Sequence, residues 1–205
     1  MTVDVLRSPR LLFRLFDYRL RMSKENLAQS LRSLRESRHV SLRTLAEQAG
    51  YSASFLSQVE NGQVSPSIAS MERIATALGV TLAQFFHHAE GGQGKVIRRD
   101  HRAWMNLEWS RAEIESAGSL DGGSQLSGIL VKLKVGGLSG KDARPSPNDE
   151  FAFVYQGEVV LTLEGTEELL MSGDSVVIPA GVNRRWRNDT PQAVQILIVS
   201  AKASS

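Results

Sequence analysis

Residues 41–62, SLRTLAEQAGYSASFLSQVENG, hold two short helical patterns separated by a tight turn, and this pair limits what the chain can fold into. Ser41 places a hydroxyl just before the periodic run Leu42, Leu45, Ala46 and Ala49, where its oxygen caps the first free amides of a helix. Gly50 ends that helix. A second run starts at Ser52, sets Leu56 and Val59 on one face and stops at Gly62, while Ala53, Ser54, Ser57 and Gln58 fall on the other face. Helices of about two turns bury too little surface to stand alone, so neighbouring segments must complete their core. Upstream, Leu27, Leu31 and Leu34 with Arg35 and Arg38 form an amphipathic helix. Downstream, Ser65-Pro66-Ser67 opens another through Ile68, Met71, Ile74, Ala75 and Leu78, closed by Gly79. Thr81 caps a last helix whose Leu82, Phe85 and Phe86 cover the core.

The stretch LAEQAGYSASFLSQVENGQVSPSIASMERIATALGV resembles the helix-turn-helix domain of the Xre/Cro/cI family. The resemblance implies a five-helix, lambda-repressor-like domain over residues 25–88, with the second helix of the pair entering a DNA major groove. Ser52, Ala53, Ser54, Ser57 and Gln58 then face the bases. A Gln58 carboxamide can pair in two-pronged fashion with adenine, worth about 1–3 kcal/mol against a wrong base, and Ala53 can meet a thymine methyl. Arg43, Asn61 and Gln63 are placed to contact phosphates, which position the domain without specifying sequence. The family often has Gln where this chain has Leu42. The competing reading is a helical core packed for stability, with these polar residues merely solvated.

Composition supports a nucleic-acid partner for one half of the chain only. Residues 1–99 carry 14 Lys/Arg against 8 Asp/Glu, and residues 100–205 carry 10 against 14, so the overall charge of +2 conceals a net +6 and a net −4. A basic first half suits a double-stranded DNA operator, with affinity falling steeply as salt rises. The 205 residues suit two small domains. No apolar run reaches the roughly 18 residues of a membrane span. Zero cysteines exclude disulfides, thiolate metal sites and a cysteine nucleophile, and are compatible with a reducing, cytoplasmic location.

Residues 1–24 mix Arg with Leu and Phe; Arg10, Arg14, Asp17 and Arg19 interrupt any signal-peptide core. They read either as an amphipathic helix or as a disordered extension ahead of Met22-Ser-Lys-Glu-Asn, which resembles a natural start for the helical domain. Residues 89–99, with glycines at 91, 92 and 94, read as a flexible linker letting two domains adjust to each other. His87 and His88 are adjacent and read as helix-end residues rather than ligands. Beyond the linker the period turns from helical to alternating. Strands are expected at 104–109, 126–135, 150–155, 158–163, 167–171, 174–178, 184–187 and 193–199, with 121–124 and 145–149 as loops. Many short strands with glycine-rich turns argue for a sandwich or barrel.

Within this domain, residues 125–200 resemble a cupin, a double-stranded β-helix or jelly roll, so the expected fold is an α + β chain with the cupin over 100–205. The closing motif of metal cupins, G-x5-P-x-G-x2-H-x3-N, is met by Gly173, Pro179, Gly181 and Asn188, with Arg184 where the histidine belongs. The opening motif HxH-x3-E-x6-G maps onto Arg144, Ser146, Glu150 and Gly157. Arginine has no lone pair to give a divalent ion, so no metal or other cofactor is expected. Only His101 lies beyond the linker, a thin basis for acid–base catalysis.

Arg144, Ser146, Glu150, Arg184 and Trp186 then suit a receptor for a small anionic or zwitterionic effector, such as an amino acid or organic acid. An internal Arg184–Glu150 ion pair that only fills the barrel is the alternative. Together the two resemblances imply a cytoplasmic homodimeric transcription regulator, not an enzyme, with the barrel's first and last strands as candidate edges for a two-fold. A metal-independent cupin enzyme with a DNA-binding head, and a constitutive repressor with an inert barrel, are the alternatives.

Overall fold

The computed structural model describes residues 21–22, 24–88, 97–119 and 126–201. Five helices make the head: α1 Lys24–Ser37, α2 Leu42–Ala49, α3 Ala53–Glu60, α4 Ile68–Ala77 and α5 Leu82–His88. The expected caps form. Ser41 accepts from the Thr44 amide at 3.0 Å, Ser52 from Phe55 at 3.1 Å and Ser67 from Ser70 at 3.1 Å. Thr81 and Gln84 exchange bonds of 3.1 and 2.9 Å, each side chain accepting from the other's amide as in a capping box. Gly50 closes α2 at φ 68°, a left-handed conformation that glycine adopts without strain.

Leu31, Leu45, Leu56, Val59, Met71 and Ile74 form the head's core. Beside it lies a buried ion pair tying α1 to the end of α3. Arg35 Nε and Nη2 donate to the two Glu60 oxygens at 2.7 and 2.9 Å. This fork-to-fork contact fixes the tilt of α3 against α1.

The rest is β-structure, with β1 at Arg21–Met22, β2 Trp104–Leu107, β3 Ala112–Ser119, β4 Leu126–Leu133, β5 Arg144–Pro145 and β6 Asp149–Gln156. It continues through β7 Glu158–Leu163, β8 Thr166–Met171, β9 Ser175–Ile178, β10 Asn183–Arg187 and β11 Val194–Ala201. One sheet runs β1-β2-β3-β4-β11-β6-β9 and the other β5-β10-β7-β8. Ile129, Val131, Val154, Leu161, Trp186, Ile196 and Ile198 fill the space between them. This is the expected double-sheet fold.

Several details depart from expectation. β3 was not anticipated, because AEIESAGS has a single β-branched residue; it buries Ala112, Ile114 and Ser116 in alternation and pairs with both β2 and β4. Arg144–Pro145, expected in or beside a loop, is a short edge strand, where a proline costs no ladder bond. Residues 21–22, placed with the extension, pair in parallel with Trp104–Met105. Neither strand expected to offer a free edge does so: β11 lies between β4 and β6, and β2 between β1 and β3. Among the described residues the outer strands are β1 and β9 in one sheet and β5 and β8 in the other. The remainder of the extension, and residues 89–96 of the linker, lie outside the described residues.

Head and barrel touch directly. Their apolar residues form one continuous cluster, in which α5 packs against β3 and β4, with Leu82 and Ala83 close to Ile129.

Replacing Glu60 with Ala leaves the Arg35 guanidinium with only the Val40 carbonyl at 3.1 Å and Glu36 at 3.5 Å, and should lower unfolding free energy by about 1.5–3 kcal/mol, as urea denaturation would read.

Candidate functional site

On α3 the capped N-terminus and the solvent side coincide. Ser52, Ala53, Ser54 and Gln58 are exposed, while Leu56, Val59 and Glu60 are turned inward. Ser57 is half-buried and accepts from the Asn61 side chain at 3.4 Å. Asn61 in turn accepts from Arg32 Nη2 at 2.8 Å, bringing an unanticipated cation from α1 to the rim of this face. Arg43 is exposed and bonds Glu47 at 3.1 Å, and Gln63 is exposed beyond the helix. The expected DNA residues therefore lie on α2, along α3 and in the turn that follows, all exposed except half-buried Ser57.

A second constellation lies where α4 meets the barrel. The Ile68 amide donates to Ser110 Oγ at 3.3 Å and the Ala69 amide to the Ser139 carbonyl at 3.1 Å. The barrel thus satisfies two amides that a helix start leaves without intrahelical partners. Gly140 permits this approach, since a Cβ there would come within 3.2 Å of Ala69 Cβ.

One turn further along α4, Glu72 reaches into the barrel mouth. Both its oxygens accept from Arg184 Nη2 at 3.0 Å. Arg184 also donates from Nε and Nη2 to the two Glu150 oxygens, each at 2.6 Å. Ser146 Oγ donates to Glu150 Oε1 at 2.9 Å. The Arg184 and Glu150 side chains are 2% and 3% exposed, and that of Glu72 is 13% exposed.

The cluster sets one guanidinium against two carboxylates. Burial pushes the Glu72 carboxyl above its usual value of 4.5, and the Glu150 charge adds to that rise while Arg184 opposes it. Burial alone would lower the pKa of Arg184, but Glu72 and Glu150 outweigh it and hold the group firmly charged.

Of the expected ligand residues, Ser146, Glu150 and Arg184 come together. Trp186 follows on the same inward face of β10, buried, with no hydrogen-bond partner for its indole Nε1. Arg144 stands apart: it is exposed and has Asp142 at 3.7 Å. It lines a separate cleft of about 330 Å³ with Tyr51, Phe55, Pro66, Trp109 and Lys141. A divalent ion does not fit the barrel mouth. Both Glu150 oxygens accept from a guanidinium, and no group of three His, Cys, Asp or Glu converges among the described residues.

Glu72, Ser110 and Ser139 were not singled out from sequence. Glu72 follows Ile68 by one turn, so a charge on an otherwise apolar stripe was the available signal.

Comparison with known families matches residues 26–85 to a helix-turn-helix domain and residues 129–200 to a cupin domain. The chain is an Xre-type helix-turn-helix transcriptional regulator with a C-terminal cupin domain. The regulator is 27% identical to the HTH-type transcriptional regulator PuuR of Escherichia coli over 86% of its own length and 96% of the relative's. It is 28% identical to the regulator SutR of the same organism, over 83% and 93% of the two chains. A helix-turn-helix family regulator from Vibrio cholerae shares the fold at a TM-score of 0.68 and 22% identity, covering 89% of this chain and 98% of that one.

Because the folded regulator binds the Glu72 proton more tightly than the unfolded chain does, this group's favourable contribution is complete below pH 4.5 and is lost as pH rises through the elevated pKa. Thermal melts across that range should show the slope in the wild type and a flatter profile in Glu72→Gln.

Proposed function

We propose that the regulator binds a double-stranded DNA operator as a homodimer, and that its metal-free cupin changes this binding in response to a small anionic or zwitterionic metabolite. The reading rests above all on α3, whose outer face carries Ser52, Ala53, Ser54 and Gln58 in solvent within a matched helix-turn-helix domain. Gln58 reads bases, Ser57 supports the face through Asn61, and Arg43, Asn61 and Gln63 hold phosphates. The Arg43–Glu47 pair is no obstacle, since an exposed pair of this spacing is worth only about 0.3–0.5 kcal/mol.

One recognition helix reads few base pairs, and a two-fold pair reading half-sites about one helical turn apart multiplies the discrimination. Phe151 and Val177, opposite each other on β6 and β9, and Leu169 and Met171 on β8 expose apolar surface at the free sheet edges. That surface suits the dimer contact.

The cupin acts as a receptor rather than a catalyst. Ser146, Glu150 and Arg184 form its charged centre, Trp186 lies along the same inward face, and Arg144 borders the neighbouring cleft. The contact from Arg184 to Glu72 on the head supports communication between the two domains. The site of action is the cytoplasm, with the DNA.

Selection of genomic fragments by the purified regulator, with and without a metabolite panel, tests this reading. A recovered operator whose binding no metabolite alters would leave the barrel as a dimerisation module only. On that operator Gln58→Ala should cost about tenfold or more in affinity, with a smaller loss on random DNA. Equal losses on both would reduce Gln58 to a phosphate contact.

A further inference from the structure

We propose that Glu72 occupies the effector's own place: a small hydroxy-carboxylate monoanion binds Arg184 by displacing the Glu72 carboxylate, and so frees α4 from the barrel. This rests on the cupin being a receptor and names its ligand class and its internal competitor.

Glu150 and Glu72 hold the guanidinium unequally. Glu150 engages both Nε and Nη2 at 2.6 Å, is braced by Ser146 and belongs to the barrel. Glu72 engages Nη2 alone at 3.0 Å, keeps an exposed edge and comes from the other domain. Glu72 is therefore the carboxylate that can leave, regaining water as it goes. Exchanging one monoanion for another preserves the charge of the cluster, whereas a dianion would enlarge a negative surplus that is already buried. All four carboxylate oxygens accept from Arg184, so an incoming cation would compete with a guanidinium already in place.

The size of the ligand follows from the space. Next to the cluster lies a cavity of about 20 Å³, enough for one water. Withdrawing the Glu72 side chain adds the volume of a propionate. The walls carry the hydroxyls of Thr76, Thr81, Ser127 and Ser200, with Asn148 beside them and Ile129 as an apolar patch. Thr76 donates its hydroxyl to the Glu72 carbonyl and Thr81 accepts from the Gln84 amide, so an acid of about three or four carbons bearing a hydroxyl fills such a space with Ser127 and Ser200 as the nearest hydroxyls to meet it. Because Glu72 is tethered, an outside anion competes with a local concentration in the millimolar range or above. Removing the Glu72 charge must then raise ligand affinity, which a purely structural role for Glu72 would not do.

The test titrates full-length wild type, Glu72→Gln, Glu72→Ala and Arg184→Lys with lactate, propionate and propylamine by calorimetry, with circular dichroism to verify folding. Lactate should bind Glu72→Gln and Glu72→Ala at least tenfold more tightly than wild type, propionate more weakly than lactate, and propylamine not at all. Arg184→Lys should lose lactate binding. Lactate binding that Glu72→Gln and Glu72→Ala leave unchanged, or propylamine binding in its place, overturns the proposal. If operator binding responds to other metabolites but neither acid binds any variant, this inference fails while the regulator reading stands. If operator binding responds to no metabolite and neither acid binds, both fall.

Discussion

A guanidinium removed from water must be matched, because burying an unpaired charge costs several kcal/mol after all relaxation. Arg184 is covered by the two domains together, and its match is likewise divided: Glu150 comes from the barrel and Glu72 from the head. The arrangement of the whole chain depends on this division. Neither domain completes the cluster alone, so the head has a preferred seat on the barrel even though a glycine-rich segment joins them in sequence. Such a cluster adds little net stability compared with apolar packing of the same volume. Its value here lies in orientation, since only one placement of α4 satisfies it.

The seat is specified a second time at the start of α4. Ser110 and the Ser139 carbonyl complete the amides of Ile68 and Ala69, and Gly140 spares a Cβ that would crowd Ala69 at 3.2 Å. α4 follows directly on the turn that ends α3. In the proposed mechanism, a change in how α4 sits on the barrel passes through residues 61–67 to α3, without a long path of small displacements. In the proposed dimer this has leverage, because two recognition helices must meet successive grooves at a set spacing.

The head was legible in sequence nearly residue by residue, because its determinants are local. Ser41, Ser52 and Ser67 act within one turn of themselves, and the stripes from Leu45 to Ile74 repeat at helical period. The barrel was legible as a class but less so in its connections. β3 escaped notice because in its alternation through Ala112, Ile114 and Ser116 only Ile114 has a strong strand preference. The position of β11 was misjudged because being last in sequence says nothing of being last in a sheet when the chain crosses between strands. The head–barrel junction was the least visible part. Glu72 and Arg184 are 112 residues apart, and the charge on the apolar stripe of SMERIATALG marks Glu72 as unusual without naming the partner that buries it.

The substitution at position 184 gains meaning from that pairing. Read alone, an arginine in place of a metal-binding histidine marks only a lost metal site. In the folded chain the same position holds a permanent cation at the mouth of the barrel, beside the Glu150 carboxylate that the cupin pattern retains. Where a metal cupin would use an ion to draw oxygens inward, this barrel holds the oxygens of Glu150 and Glu72 with a side chain fixed to its own strand. A bound metal can be coordinated only from within its cage, whereas a guanidinium presents donors on more than one edge. Glu150 takes one edge from inside the barrel, and another remains for a carboxylate approaching from the head. A donor that carboxylates from both domains can share is what the proposed sensor uses and what an enclosed catalytic metal does not offer.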